Sequence, residues 1–420
     1  MRFFNIDCHV SVIEDVSDHL RALGHTVEDH SISGHHWTLG KPRASQGSGP
    51  PDRQGAIGYG MVNLSSWKSI FNVFPGDDLR APSRAWVAER PELRDFDAGI
   101  ACYPPSFALL YAETGRHVIV DVPIRYELPF THRPDDWRRM NEHLVEGVAE
   151  GRMTVAANSC YDAAYYEYFT GQPALHISST CAYVDRLTSK WQAGGRCLLA
   201  FGEPAGGREA QARVPGVAFV RDVFRRPYEM ANIAKARGIV WIPYNASIMS
   251  FFEHYWLGIP LFVPSKPFLL DLKSRNLALS QLSWHASDSK GSTLPRVGTA
   301  LPDPHTPEGH AAWLDLYDVY NAQEFPFVTY FDSWEHLASL VATHDYERTS
   351  ADMLAFNALR RANNLRKWQH VVDRVALWSG SDPSRSTRPL SERKSVGMAR
   401  VRPPSAPAVT PWDVDGDGSR

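Results

Sequence analysis

Residues 245–265 read NASIMSFFEHYWLGIPLFVPS, with one carboxylate, Glu253, set among Phe251, Phe252, Tyr255, Trp256 and Leu257. A carboxylate taken out of water is strongly destabilising unless it is paired or hydrogen-bonded. Its partner is either the protein itself or a ligand. The same stretch also decides the fold. ASIMSFFEHYWL reads as a helix between two apolar runs, GIVWIPY (238–244) and IPLFVPS (259–265), that read as strands.

Working towards the N-terminus, CLLAFGE (197–203) and VAFVRDV (217–223) are two more strand candidates. An earlier set precedes them. RFFNI is a strand, a helix carries Val16, Leu20 and Leu23 to a stop at Gly24, and HTVEDHSI is a second strand. AGIAC, HVIVDVP and MTVAANS follow, separated by helical segments such as SFALLYAETG. Strands alternating with helices predict parallel sheets covered on both faces. Towards the C-terminus, residues 351–377 predict one long helix with Leu354, Ala358, Arg361, Leu365, Trp368, Val372 and Val375 as its buried stripe.

The expected division is a first α/β domain over 1–180, a second over 181–345, a terminal helix over 346–378 and a disordered tail over 379–420. The tail is too polar and too rich in Pro and Ser to offset the entropy of ordering it. The Gly-, Pro- and Ser-rich residues 40–60 read as a long surface loop, a candidate for part of a binding wall.

The composition, 43% hydrophobic and 22% charged with a net charge of −3, is that of an ordinary globular chain with no bulk attraction to nucleic acid. Five cysteines without CxxC spacing give no zinc signature. No apolar run is long enough to span a bilayer, and the first residues gain charge too early for a signal-peptide core, so the expected location is cytoplasmic or cytosol-facing. Peripheral membrane association stays open. No G-x-G-x-x-G follows the first strand, and no P-loop, HExxH or GxSxG occurs, which weakens dehydrogenase, NTPase, metalloprotease and hydrolase readings.

IPYNASIMSFFEHYWLGIPLFVPS resembles the donor-nucleotide region of GT-B superfamily glycosyltransferases, family 4-like members among them. ANSCYDAAYYEYFTGQPALHI (157–177) is similar to the last helix-and-strand segment of their first domain, and the helix ending RKWQHVVDRV to their terminal helix. The resemblance implies two Rossmann-like parallel-sheet domains facing a cleft, and transfer of a sugar from a nucleotide-sugar donor to a hydroxyl acceptor. It also implies that Glu253 hydrogen-bonds the ribose hydroxyls, as a carboxylate can accept from two neighbouring hydroxyls at once. Retaining members carry an acid eight positions earlier; Asn245 stands there, so the stereochemical outcome stays open.

Around Glu253, Asn245 and Ser247 belong to the expected donor site, because free N–H groups at a helix start suit a diphosphate. Against this, Ser250-Phe-Phe-Glu253 also fits a capping box, in which the acid merely satisfies a backbone N–H. His9, directly after the first strand, is the candidate general base, resembling some inverting GT-B enzymes; its alternative role is to cap the first helix with its ring. Asp7 would orient His9 or face away. Arg208, and more weakly Lys190, are candidate phosphate contacts, while Arg125 and Tyr126 are expected on the acceptor side. No metal or resident cofactor is expected, the nucleotide sugar serving as co-substrate. The alternatives are a nucleotide-sugar epimerase of the same fold and a non-catalytic nucleotide-sugar-binding scaffold.

Overall fold

The computed structural model describes residues 1–29, 67–224, 228–282 and 291–380. The expected loop at 40–60 lies outside the described residues, as does the expected tail from residue 381 onward.

Six strands form the first sheet: β1 (Arg2–Asn5), β2 (Thr26–Asp29), β3 (Ala98–Ala101), β4 (His117–Val122), β5 (Met153–Ala157) and β6 (Leu175–His176). Their order is β2-β1-β3-β4-β5-β6, and every pairing is parallel. The second sheet holds β7 (Leu198–Gly202), β8 (Val217–Phe219), β9 (Gly238–Ile242), β10 (Leu261–Pro264) and β11 (Thr329–Phe331). Its order is β11-β10-β9-β7-β8, again all parallel. Every residue of β3, β4, β5, β9 and β10 is buried, which is why these strands read as unbroken apolar runs rather than alternating ones.

Two glycines show how closely the layers approach. A Cβ on Gly99 in β3 would meet the Tyr111 ring at 2.5 Å, and that ring's hydroxyl accepts the Ile6 N–H at 3.2 Å. Gly202, which ends β7 at φ +91, has the carbonyl oxygen of Ile242 where a Cβ would stand, 1.9 Å away. Any side chain there would part β7 from β9.

Three local expectations change. VAFVRDV is not one strand: β8 stops at Phe219 and residues Val220–Val223 form a helical turn. The Gln211 side chain accepts the Phe219 N–H, taking the place of a further ladder partner at this sheet edge. SFALLYAETG makes a fully buried 3₁₀ segment, Pro105–Tyr111, rather than an α-helix. The terminal helix spans Tyr346–Gly380, but its first half buries Met353, Asn357, Arg360 and Asn364 instead of Leu354, Ala358, Arg361 and Leu365.

That shift has a polar cause. Arg360 donates to Ser178 Oγ at 3.0 Å and to the Ser179 carbonyl at 2.9 Å, Asn364 donates to the Ser178 carbonyl, and Asn357 donates to the Tyr255 carbonyl at 2.9 Å. The helix thus satisfies backbone groups both of the segment leaving the first sheet and of the helix that carries Glu253. Further along, Trp368, Val371, Val372 and Val375 cluster with Val12, Ile13, Val16 and Leu20 of the first helix (Val10–Ala22). The terminal helix therefore packs onto elements of both sheets. No described helix is long and apolar enough to cross a membrane.

Candidate functional site

The helix carrying Glu253 follows β9 and spans Met249–Trp256, with Ile248 at its N-cap and no side-chain capping bond. Neither expected start is correct. Ser250 lies inside the helix, so no capping box forms, and Asn245 and Ser247 precede it. Asn245 instead folds its loop. Its Oδ1 accepts the Ala246 N–H at 2.7 Å, and its Nδ2 donates to the Gln281 carbonyl at 2.9 Å. Ser247 is buried and hydrogen-bonds the carboxylate of Asp318.

Glu253 is 6% exposed and does find partners within the protein. The Tyr183 hydroxyl donates to its Oε1 at 2.5 Å, and the Ser11 hydroxyl bonds it as well. Ser11 sits in the first turn of the helix that follows β1, whereas Tyr183 lies on the crossover between the two sheets. Burial raises the Glu253 pKa to about 7 even though both hydroxyls oppose the shift.

A stability prediction follows from this shift. Between the ordinary carboxylate value of 4.5 and the folded value of about 7, the folded state keeps a proton that the unfolded state has released. The stability this group contributes is thus complete at low pH and is lost as pH rises through that window. Glu253→Gln, which needs no proton, is expected to be more stable than wild type above neutral pH, by up to roughly 3 kcal/mol. The gain should vanish near pH 4.5, the ordinary carboxylate value. Denaturant midpoints of both proteins across pH check this; a gain that does not change with pH would contradict it.

His9 is the N-cap of the first helix, yet its ring makes no capping hydrogen bond. The cap position is fixed through the backbone. The Asp7 carboxylate accepts the N–H groups of His9 at 2.7 Å, Tyr103 at 2.9 Å and Cys102 at 3.2 Å. Asp7 therefore orients His9 through the main chain. The imidazole meets the Tyr103 ring edge to face, with centroids 5.4 Å apart.

Arg125 ties this group to the second sheet. It donates to the Tyr103 hydroxyl at 3.0 Å and to Oε1 of Gln281 at 2.6 Å, while Gln281 carries the bond to Asn245. Tyr244, at the end of β9, lies within electrostatic range of Arg125, Tyr103 and Glu253. His9, Arg125, Asn245, Ser247 and Glu253 thus gather where the carboxyl ends of the two sheets meet, the place where open α/β sheets bind ligands.

Three other candidates lie elsewhere. Tyr126 is buried, donates to Asn141 at 2.6 Å and packs on Tyr165 and Tyr166. Arg125, the residue before it, has φ +66, in the left-handed region uncommon for a residue with a side chain. Arg208 pairs with Asp222 at 2.9 Å and covers Phe219 at the β8 edge. Lys190 pairs with Asp185 at 2.6 Å and donates to the Trp256 carbonyl at 3.1 Å. Sequence reasoning missed Ser11, Tyr103, Tyr183, Gln281 and Asp318. Among the described residues, no group of three or more His, Cys, Asp or Glu is arranged to hold a metal ion.

No protein-family model matches the chain, and no curated protein matches it either. Similar solved structures include the glycosyltransferase of kitacinnamycin, at TM-score 0.43 and 11% identity, with 89% of this chain and 99% of that one covered. The glycosyltransferase VinC, solved with DTDP, scores 0.38 at 11% identity and covers 90% and 100%. SnogD, a glycosyltransferase from Streptomyces nogalater, scores 0.38 at 11% identity and covers 88% and 99%. At these scores and identities, similarity shows neither family nor activity.

Proposed function

We propose that this chain is a GT-B glycosyltransferase that moves a sugar from a nucleotide-sugar donor to a hydroxyl acceptor. One observation carries the proposal: the Ser11–Glu253 hydrogen bond joins the helix acid of the second sheet to the first turn of the helix that His9 begins. A histidine, the side chain suited to act as base near neutral pH, and a carboxylate able to accept from two hydroxyls thus belong to one junction beyond the carboxyl ends of both sheets. In the proposed complex the ribose hydroxyls replace those of Tyr183 and Ser11 on Glu253. The donor lies on the second sheet's side, with Asn245 and Ser247 near its phosphates. Arg125 faces the acceptor, and His9 takes the acceptor's proton as its oxygen attacks the anomeric carbon. Tyr126 and Arg208 have no part in this arrangement.

A second reading has an observation in its favour. The hydroxyls of Tyr183 and Ser11 already satisfy Glu253, as a purely structural junction in a non-catalytic scaffold would require. Calorimetric titration with nucleoside diphosphates separates the two: the transferase binds one of them through Glu253, and the structural junction binds none. An epimerase would turn over a nucleotide sugar without an acceptor, whereas the transferase requires one.

A further inference from the structure

Outside the junction, one amine is held unlike the others. Lys273 lies in the last turn of the helix Lys266–Ser274, which follows β10, and is half-buried. A cation is favourable at a helix C-terminus. Its Nζ nevertheless bonds no helix carbonyl among the described residues, but Nδ1 of His310, on the helix Pro307–Ala312. His310 is 4% exposed, and its Nε2 is buried without a hydrogen-bond partner among the described residues. Burial, reinforced by Lys273 and His305 and opposed by Asp303, lowers the His310 pKa to about 4. The ring is therefore neutral at physiological pH and meets Lys273 as an acceptor.

Other lysines have partners that hold a charge, or water. Lys190 and Lys266 pair with Asp185 and Asp315, Lys367 donates to the His176 carbonyl at 2.9 Å, and Lys235 is exposed. Lys273 meets no carboxylate within ion-pair distance among the described residues. The difference matters chemically. A carboxylate stabilises an ammonium, whereas a neutral imidazole accepts an N–H from amine or ammonium and favours the charge far less. Burial brings the Lys273 pKa down to about 8 with nothing to oppose it, while at Lys190 Asp185 opposes the same cause.

We propose that Lys273 is a site of acylation by small acyl thioesters, its amine presented by the His310 imidazole. No nucleotide enters this reaction, which is independent of the transferase reading. An amine that donates one N–H to Nδ1 keeps its lone pair for attack, and a partly dehydrated one has less to hold it in the charged form. The Lys273 nitrogen bonds the acyl carbon, the carbon–sulfur bond breaks, and the thiolate leaves, taking up the proton that the nitrogen releases. The product suits the position better than the reactant. An amide is neutral, so a half-buried charge disappears, and its remaining N–H can still donate to Nδ1.

The test incubates native wild type, urea-unfolded wild type and His310→Glu with S-acetyl-N-acetylcysteamine at neutral pH. Acetylation at each lysine is followed by peptide mass spectrometry. In the native protein Lys273 is expected to react about tenfold faster than exposed Lys235, its larger fraction of free amine outweighing its weaker nucleophilicity. Unfolding should remove the excess. So should His310→Glu, whose carboxylate would hold the ammonium as Asp185 and Asp315 hold those of Lys190 and Lys266. Should that variant fail to fold, native and unfolded wild type decide. A rate at Lys273 no greater than at Lys235, an excess that persists on unfolding, or one unchanged in folded His310→Glu would overturn the proposal.

Discussion

His9→Ala is expected to lower acceptor-dependent release of nucleoside diphosphate by roughly 10²–10⁴-fold, the usual contribution of a positioned general base. Nucleotide affinity should change little, because the ring belongs to the first sheet's side of the junction. The fold should tolerate the change. His9 holds the N-cap through its backbone N–H on Asp7, and its imidazole makes no capping bond. The ring meets that of Tyr103 edge to face, a modest interaction. Turnover and nucleotide affinity thus respond separately, which a merely structural histidine would not produce. Steady-state kinetics beside a nucleotide titration checks this; unchanged turnover in a folded variant would remove His9 from the chemistry.

The second large effect falls on stability. Arg360→Met is expected to destabilise the protein by about 3–5 kcal/mol, the range for removing one member of a buried charged network. Arg360 is 4% exposed and donates to Asn357, Ser178 Oγ and the Ser179 carbonyl. Its guanidinium lies 4.3 Å from the Phe325 ring centre, with Glu324 3.7 Å from Nε. Methionine can replace the packing but none of the donors, so buried acceptors would be left without partners. The adjacent Arg361→Met is the control. Arg361 pairs with Asp18 at 2.7 Å on a part-exposed face, where such a pair contributes at most about 1 kcal/mol. Urea unfolding of the two variants should differ several-fold in effect; equal losses would contradict the assignment of the network to Arg360.

The two sheets were legible because parallel strands buried on both faces leave continuous runs such as HVIVDV, and the helices between them leave a different period. β11 was not, since three residues carry too little pattern, and the two residues of β6 were reached only through the resemblance of 157–177 to a helix-and-strand segment. On the terminal helix, apolar periodicity predicted a stripe through Leu354 and Ala358. The buried positions are Asn357, Arg360 and Asn364, chosen by carbonyl groups distant in sequence. The anomaly at Glu253 was visible, but its partners were not: Tyr183 lies 70 residues away, and no local spacing joins them.

The most direct test of the proposed function is calorimetric titration of a panel of nucleoside diphosphates into wild type and folded Glu253→Ala. Wild type is expected to bind one of them, and the variant to lose about 1.5–3 kcal/mol of that affinity, the contribution of hydrogen bonds to a charged group. Equal binding by the two proteins, or none by wild type, would contradict it and leave Glu253 as the acid of a structural junction with Tyr183 and Ser11.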